Sequence, residues 1–273
     1  MAYTPFMTTV EEDAVSGSTP EFSIVIPAWH EESNIGPLVE HIRRFDTASR
    51  CEVIVVDGDP TGTTLAALRD SGVTRLVSRK GRAHQMNAGA AAANGSVIVF
   101  LHADTMLPDS ALDDIRRVMS QPGTIGGAFR LRFDSDRPIY RFMSWVISAR
   151  TARSRLPYGD QAIFVYRRRF LELGGFAPIP IMEDVEFVRR IRRAGHGLVL
   201  TGTEVRTSCR RMEGEGVVRR VLKNTLMRLL FAVGVPARVL SRWYTDGHRL
   251  RDVQTEASEV VAGVALAPPP DGP

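Results

Sequence analysis

Short apolar runs alternate with amphipathic stretches through the first half of the chain. The runs begin near residues 22, 51, 75 and 97, and their length is typical of strands that are buried on both faces. The stretches between them repeat apolar residues at helical spacing. This alternation predicts a mostly parallel central sheet flanked by helices, with right-handed crossovers.

The pattern also predicts where each element begins and ends. The predicted strands are Phe22–Ile26, Cys51–Val56, Arg75–Val77, Val97–Asp104, Gly126–Phe133, Gln161–Tyr166 and Leu198–Gly202. The predicted helices start at Ser33 or Asn34, at Thr61 or Thr63 (running through Leu68), at Ala83, at Pro108, at Glu183 and at Val217. An Arg-rich helical stretch is also expected between the strands Gly126–Phe133 and Gln161–Tyr166. We expect Pro27 to end the first strand. On the helix that starts at Glu183, we expect Val185, Val188 and Ile191 to face inward.

The composition is that of an ordinary globular chain. It has 273 residues, of which 44% are hydrophobic and 24% are charged. Residues 1–20 and 253–273 lack apolar periodicity, and the second stretch contains three consecutive prolines, so both are expected to be disordered tails. Residues 21–252 are expected to form one α/β domain that includes amphipathic helices at residues 215–252.

Positive charge is concentrated in two parts of the chain. Residues 206–251 hold eleven Lys or Arg against three Asp or Glu, and residues 137–169 hold eight Arg against one Asp. The stretch Val217–Arg251 also has an apolar face flanked by Arg219, Arg220, Lys223 and Arg228. That face comprises Val218, Val221, Leu222, Leu226, Leu229, Leu230 and Val233. We expect it to pack on the domain, the alternative being a helix lying in the interface of an anionic membrane.

The two cysteines are too few and too far apart for a disulfide framework. Cys51 opens an apolar strand, and Cys209 lies far from it in sequence. The opening residues lack the basic and apolar regions of a signal peptide. We therefore expect a cytoplasmic protein, with peripheral contact at the inner face of the membrane as an option.

Carboxylates stand at the predicted strand ends and at one helix start. Glu31 follows the first strand, Asp57 the second and Asp104 the fourth, while Glu183 and Asp184 open a helix. One such residue is usually a turn or capping residue, but several at one sheet edge are harder to explain in that way. Carboxylates there can hold a divalent cation against phosphate oxygens.

A basic loop lies between these carboxylates. Lys80-Gly81-Arg82 precedes the third helix, and its two cations could pair with a diphosphate. The chain has no Gly-x-Gly-x-x-Gly after the first strand and no Walker lysine loop, which argues against dinucleotide and P-loop folds. Clusters of His and Cys that would hold structural zinc are also absent from the sequence.

These residues together resemble a family 2 glycosyltransferase with the GT-A fold. The resemblance covers about residues 22–250 and is greatest to the subgroup labelled arsenosugar-biosynthesis glycosyltransferases. The segments that carry it are Ile26–Glu32, Val55–Gly58, Gly81–Gly89, Leu101–Thr105, Tyr158–Gln161, Leu173–Phe176 and Pro180–Glu186. Such an enzyme uses a nucleotide-diphospho-sugar, most often a UDP-sugar, and a Mg²⁺ or Mn²⁺ ion.

The resemblance implies a role for each matching residue. Asp104 would touch the metal, and Asp184, beside Glu183, would be the general base that deprotonates an acceptor hydroxyl for inverting transfer. Asp57 would accept a hydrogen bond from the nucleobase of the donor. The other residues implied to bind the nucleotide-sugar are Pro27, Ala28, Glu31, Arg82, Asn87, His102, Ala103, Asp160 and Gln161.

One position departs from the family pattern. The family usually has an acid where His102 stands, and a neutral imidazole carries less charge with which to hold a hard cation. Metal affinity is therefore expected to be weaker, and His102 could instead support another ligand. Asp59 also stands where the family often has Ser after the Asp-Gly pair.

Two other functions are compatible with parts of this pattern. A non-catalytic GT-A module would bind nucleotide or membrane through its basic helices without turnover. A sugar-phosphate nucleotidyltransferase shares the sheet topology but should carry Gly-x-Gly-Thr-Arg after the first strand, where this chain has Pro27-Ala28-Trp29-His30-Glu31. No nucleic-acid partner is expected. The donor sugar, the oligomeric state and the acceptor, a lipid or a small metabolite, stay open.

Overall fold

The structure is a computed structural model that describes residues 19–244 other than 47 and 49. Its strands are β1 Phe22–Ala28, β2 Cys51–Asp57, β3 Val73–Val77, β4 Val97–Phe100, β5 Thr105–Met106, β6 Gly126–Phe133, β7 Phe164–Tyr166 and β8 Val199–Thr207. Its helices are α1 Glu32–Phe45, α2 Thr63–Ala66, α3 Arg82–Ala92, α4 Ala111–Met119, α5 Pro138–Ser154, α6 Arg167–Glu172, α7 Glu183–Arg193, α8 Arg210–Glu215 and α9 Val217–Ala232. A 3₁₀ turn spans Gly159–Gln161, and residues 237–244 are helical.

The eight strands form a single sheet in the order β3-β2-β1-β4-β7-β6-β8-β5. The pairs β2–β3, β1–β2, β1–β4 and β6–β8 are parallel, whereas β4–β7, β6–β7 and β5–β8 are antiparallel. The parallel pairs need helical crossovers, which α1, α2 and α3 supply. The predicted α/β fold with a mostly parallel central sheet is therefore confirmed.

Helices cover both faces of this sheet because alternate strand residues point to opposite sides. On β1, Ile24 belongs to one apolar cluster, which includes residues of α1 and α4, while Val25 belongs to a second cluster with α3 and α7. Gly89 lets α3 approach closely, since a Cβ at that position would overlap the Val25 side chain. This packing fixes the N-terminus of α3 above the carboxyl ends of β1 and β2.

Several predicted bounds were wrong in informative ways. The strand β1 continues through Pro27 to Ala28, and its register with β2 is kept across the proline. The strand β4 ends at Phe100, so Asp104 lies in a turn four residues later. Helix α1 begins at Glu32, with Glu31 as its N-cap. Helix α2 ends at Ala66 rather than Leu68.

The second half of the chain also differs from expectation. The strand predicted at Leu198–Gly202 runs to Thr207, and the one predicted at Gln161–Tyr166 begins only at Phe164. On α7, Val188 and Ile191 are buried as predicted, but Val185 is only half-buried and Phe187 takes the inward position. The Arg-rich stretch that follows β6 is helical as predicted and forms α5.

Helix α5 buries its polar side. Its buried residues are Tyr140, Ser144, Ser148 and Thr151. The backbone N–H groups of Phe133 and Leu131 on β6 donate to the hydroxyls of Ser144 and Ser148, at 3.1 and 3.2 Å. Strand β6 pairs with β7 only at Gly126 and Gly127, so these serines satisfy backbone groups that lack a neighbouring strand there. The apolar residues Ile139, Phe142, Trp145 and Val146 of α5 consequently face outward.

Helix α9 contradicts the expectation that its apolar face packs on the domain. Leu222, Leu226, Leu229 and Val233 are 52–80% exposed, while Arg220 and Met227 are buried. The helix ends at Ala232, and Gly234 follows with a left-handed φ of 96°. The predicted continuation to Arg251 is helical at 237–244, and residues 245–252 lie outside the described residues, as do nearly all of both predicted tails.

Candidate active site

A cavity of about 460 Å³ lies where the loops after the parallel strands meet α7 and α9. It collects six of the predicted site residues from separate parts of the chain, namely Arg82, His102, Asp104, Asp160, Glu183 and Asp184. The N-terminus of α3 supplies Arg82, the turn after β4 supplies His102 and Asp104, and the start of α7 supplies the acid pair. The predicted convergence of acids at one sheet edge is thus present for these residues.

The acid pair is held by tight backbone geometry. Met182, directly before it, has a left-handed φ of 66°, a conformation that costs free energy in a residue other than glycine. The Asp184 Oδ2 accepts a hydrogen bond from the backbone N–H of Gly159 at 2.6 Å. A Cβ at Gly159 would lie 3.2 Å from both Asp184 Oδ2 and His102 Nε2. Gly159 therefore brings the start of α7 and the turn after β4 together.

Two of the acids bind protons unusually tightly. Burial, reinforced by the negative charge of Asp184, raises the pKa of Asp160 to about 6. The same two causes raise the pKa of Glu183 to about 7. Asp160 as a residue is half-buried, but its Oδ1 is fully buried and no described group donates to it. The cavity wall therefore contains a buried carboxyl oxygen whose hydrogen-bonding capacity is unused within the described residues.

Cations surround these acids. The positive charge of Arg82 favours ionisation of both Asp160 and Glu183, and Arg150 and Arg228 also act on Asp160. The guanidinium groups of Arg150 and Arg228 lie 3.7 and 4.4 Å from the ring centre of Tyr158. Tyr158 thereby links α5 to α9 at the wall of the cavity. Such a concentration of cations fits an anionic ligand.

An aromatic ring and a cation form another pair in the cavity lining. The Lys80 Nζ lies 3.6 Å from the ring centre of Trp29, directly after β1. The planar Trp29 ring offers a surface on which a nucleobase could stack. Trp29 was not among the predicted site residues, whereas Lys80 belongs to the basic loop that the sequence suggested could pair with a diphosphate.

The residues that could hold a cation are few. Asp104 is half-buried, lines this cavity and also borders a neighbouring cavity of about 1150 Å³. Its Oδ1 accepts from the Thr105 hydroxyl at 3.4 Å, and its backbone carbonyl accepts from Ser208 N–H at 3.0 Å. Within the described ranges no three His, Cys, Asp or Glu residues are grouped as a metal site. A Mg²⁺ or Mn²⁺ held by Asp104 and diphosphate oxygens fits this donor set, because such ions commonly use one or two carboxylates plus phosphates.

Asp57 does not line the cavity. It is fully buried, and its two carboxylate oxygens accept from the backbone N–H groups of Asp59 and Thr64 at 2.9 and 3.0 Å. Glu31 likewise engages its own neighbourhood, since its Oε2 accepts from the Asn34 side chain. Both residues order the loops around the site, and direct contact of Asp57 with a base would require the loop after β2 to move.

The structure also gives internal partners to Asn87 and Gln161. The Asn87 amide donates to the carbonyl of Phe176 and accepts from its N–H, which holds the adjacent glycine turn. Gln161 is fully buried, and its amide bonds Thr151, Tyr158 and Phe129. These two residues do not line the cavity; they hold the backbone segments next to it through hydrogen bonds.

The first-strand residues behave in the same way. Pro27 and Ala28 are buried in β1, and the Ala28 carbonyl accepts from Gly58 N–H and from the Gln85 side chain. Gln85 also bonds the carbonyl of Val56 at 3.0 Å, so it ties the ends of β1 and β2 together. Ala103 is buried and borders only the larger cavity.

Solved structures of similar fold are glycosyltransferases. A mannosyltransferase, PcManGT from Pyrobaculum calidifontis in complex with GDP-Man and Mn²⁺, aligns with 93% of this chain and 77% of its own, at a TM-score of 0.60 and 19% identity. Glucosyl-3-phosphoglycerate synthase from Mycobacterium tuberculosis with Mn²⁺, UDP and phosphoglyceric acid aligns with 80% of each chain, at 0.55 and 18%. S. aureus TarS 1–349 with UDP-GlcNAc aligns over 69% of this chain and 58% of its own, at 0.53 and 17%.

These likenesses define the class of fold, and the sequence defines the family. The arrangement of sheet and helices is the GT-A glycosyltransferase fold. The sequence model of glycosyl transferase family 2 matches residues 23–175, more than half of the chain. The chain therefore belongs to glycosyl transferase family 2. A search of the curated proteins gave no significant match.

Proposed function

We propose that the protein is an inverting glycosyltransferase that moves a sugar from a UDP-sugar to an acceptor hydroxyl. The observation that carries the proposal is the single cavity that joins Arg82 and Asp104 to the acid pair Glu183 and Asp184. The cation Arg82 suits a diphosphate, and the acid pair supplies a general base. Structures of similar fold contain nucleotide-sugars or nucleoside diphosphates, which supports this class of donor.

Each group has a defined task in this reaction. Asp184 takes the proton of the acceptor hydroxyl as its oxygen attacks the anomeric carbon. The bond between that carbon and the phosphate oxygen breaks on the opposite face, so the configuration inverts. Arg82 and Lys80 stabilise the negative charge that grows on the departing diphosphate. A divalent cation, when bound at Asp104, would supply further neutralisation of that charge.

The acid pair divides its work by environment. Glu183 is 5% exposed and its pKa is raised to about 7, so it is partly protonated near neutral pH. Asp184 is half-buried, and its Oδ2 is oriented by the Gly159 N–H. This difference supports Asp184 as the general base. Only one member of an adjacent helical pair can face the acceptor, so Glu183 would lie beside the base and not act on the acceptor itself.

The proposal includes a cytoplasmic location. The free, buried thiols of Cys51 and Cys209 fit a reducing compartment such as the cytoplasm. Resemblance to arsenosugar-biosynthesis glycosyltransferases gives a subgroup but no acceptor. The alternative of a non-catalytic GT-A module keeps the same fold and differs from the enzyme in having no turnover.

Calorimetric titration of UDP and GDP, with and without Mn²⁺, tests the donor site. We expect UDP to bind more tightly than GDP, and Mn²⁺ to strengthen UDP binding by about tenfold or more. Asp104→Asn should remove the Mn²⁺ effect. The matched control is Asp113→Asn, an exposed acid on α4 outside the cavity, which should keep the effect. If neither nucleotide bound to the folded protein, the proposed function would be refuted.

A further inference from the structure

Exposed apolar side chains are concentrated on two helical segments, residues 137–155 and 217–244. Of the large apolar residues that are exposed in the described part of the chain, only Val77 and Leu171 lie elsewhere. The remaining ten are Ile139, Phe142, Trp145, Val146, Leu222, Leu226, Leu229, Val233, Val239 and Trp243. We call this set the outer surface. Isolated exposed apolar residues need no explanation, but a set confined to two segments indicates a contact with something other than water.

The outer surface is built on helices that face the protein with polar groups. On α5 the inward positions hold Ser144 and Ser148, which bond strand β6. On α9 the inward positions Arg220, Asn224 and Arg228 line the candidate active-site cavity. At about 100° per residue, these three lie opposite the stripe Leu222, Leu226, Leu229 and Val233. The apolar stripe therefore lies on the side of α9 that faces away from the protein.

The two segments are neighbours in the fold. The ring of Tyr158 contacts both Arg150 of α5 and Arg228 of α9. In addition, Met143 and Val217 pack against the same apolar cluster beneath the sheet. Phe142 and Trp145 stack on each other with ring centres 6.1 Å apart. Aromatic pairs at the edge of an apolar surface are typical of membrane interfaces.

The charge around the outer surface identifies its occupant. Residues 137–155 and 217–244 contain eleven Lys or Arg and no Asp or Glu. The exposed members of this basic set are Arg137, Arg141, Arg153, Arg155, Arg219, Arg238 and Arg242. A second copy of the chain would bring the same positive charges together and be repelled. A surface of anionic lipid complements both the charge and the apolar stripe.

We propose that the outer surface binds the protein peripherally to an anionic lipid bilayer, with α9 lying along the interface. None of the described helices is long and apolar enough to cross the bilayer, so the contact is an in-plane one. The Leu and Trp side chains enter the boundary between headgroups and acyl chains, while the arginines meet lipid phosphates. This surface is a property of the fold and does not depend on the proposed transfer reaction.

Co-sedimentation of the full chain with lipid vesicles tests the proposal. Vesicles of phosphatidylcholine alone are compared with vesicles that contain about 30 mol% phosphatidylglycerol. We expect the protein to bind the anionic vesicles at least about tenfold more strongly, and about 0.5 M salt to weaken that binding. A triple variant, Leu222→Gln, Leu226→Gln and Leu229→Gln, should lose about tenfold or more of the binding.

Two controls separate the outer surface from general stickiness. Leu171→Gln removes an exposed leucine of α6, outside the outer surface, and should bind vesicles like the original chain. Arg168→Gln removes an exposed arginine of the same helix, whereas Arg141→Gln with Arg242→Gln removes two exposed arginines of the segments that carry the outer surface. Only the second substitution set should weaken binding. Circular dichroism confirms that each variant folds.

Tryptophan fluorescence of a chain whose outer surface is unaltered gives a second test of the proposal. In a Trp29→Phe variant the remaining tryptophans are Trp145 and Trp243, both on the outer surface. Brominated lipid in anionic vesicles should quench their fluorescence by about half or more. The proposal is overturned if the protein stays in the supernatant, if Leu171→Gln loses as much binding as the triple variant, or if the tryptophans are not quenched. A stable dimer in free solution that the triple variant dissociates would also overturn it, since a second copy would then cover the surface.

Discussion

Helices α4 and α5 follow each other in the chain and contact the same strand, β6, yet they bury opposite kinds of face. Helix α4 buries Leu112, Ile115 and Val118, as an amphipathic helix on a core does. Helix α5 buries serines and leaves Phe142 and Trp145 in contact with solvent. The difference follows from what each helix meets, because α4 meets apolar side chains and α5 meets backbone groups without a partner strand.

A related contrast separates two parts of the molecule. Both the part up to α4 and the part from α5 onward contribute apolar side chains to the core clusters. In the part from α5 onward, further polar groups point inward at Ser148, Asp184 and Arg228, where they bond backbone or line the cavity. Stability and chemistry are therefore expected to respond to substitutions in different places.

The largest effect is expected at Asp184, in the second part. Asp184→Asn removes the proposed base while keeping the shape and the acceptor for the Gly159 N–H, so transfer should fall by about 10³-fold. Folding stability and UDP affinity should change little. Glu186→Gln, two residues along the same helix and paired with Arg190, is the matched control. Full transfer activity in Asp184→Asn, once the donor and acceptor are known, would contradict the assigned base.

The next effect contrasts α4 with α5 directly. Ile115→Ala opens a cavity in the core and should lower the free energy of unfolding by about 2–4 kcal/mol. Trp145→Gln removes a larger side chain, but one that is 66% exposed, so the loss should stay within about 0.5 kcal/mol. Urea unfolding measures both. Equal losses would show that α5 packs its apolar side in solution, which would remove the basis of the comparison.

The smallest effect is a pH dependence carried by Glu183. Its pKa is raised from 4.5 to about 7 on folding, so the folded chain binds the proton more tightly than the unfolded chain. The stability gained from the protonated form is present below the unfolded pKa and is lost as pH rises through about 7. Glu183→Gln cannot titrate.

The variant should therefore gain stability relative to the original chain between about pH 4.5 and 7, by an amount on the order of 2 kcal/mol. Unfolding measured at several pH values tests this difference. Glu172→Gln is a control of opposite sign, since the hydrogen bond from Arg168 lowers the pKa of the exposed Glu172 carboxyl. A difference that is flat with pH would show that folding does not raise the pKa of Glu183.

Much of the first part could be predicted because buried parallel strands appear in sequence as continuous apolar runs. The end of β8 was missed for the opposite reason: Thr203, Val205 and Thr207 alternate with exposed Glu204 and Arg206, a polar-looking pattern. The short β5 carries no apolar run at all. Pairing with β6 and β8, which sequence spacing does not reveal, determines these strands.

For the site, the sequence identified the motif positions but not the direction of every side chain. Asp104 and Asp184 reach the cavity, whereas Asn87 and Gln161 are held by backbone groups distant in sequence. Trp29 was overlooked because an aromatic residue after a strand usually belongs to the core. The apolar stripe on α9 was visible, but periodicity alone cannot say whether such a stripe meets a core or a membrane.

Helix α9 has a consequence for how this sequence can change over generations. A surface helix normally has one side on which substitutions are nearly neutral. Here Arg220 and Asn224 serve the cavity on one side, and Leu226 and Leu229 form the outer surface on the other. Few positions on this helix are left to drift, so it should diverge more slowly among descendants of this chain than the solvent side of α4.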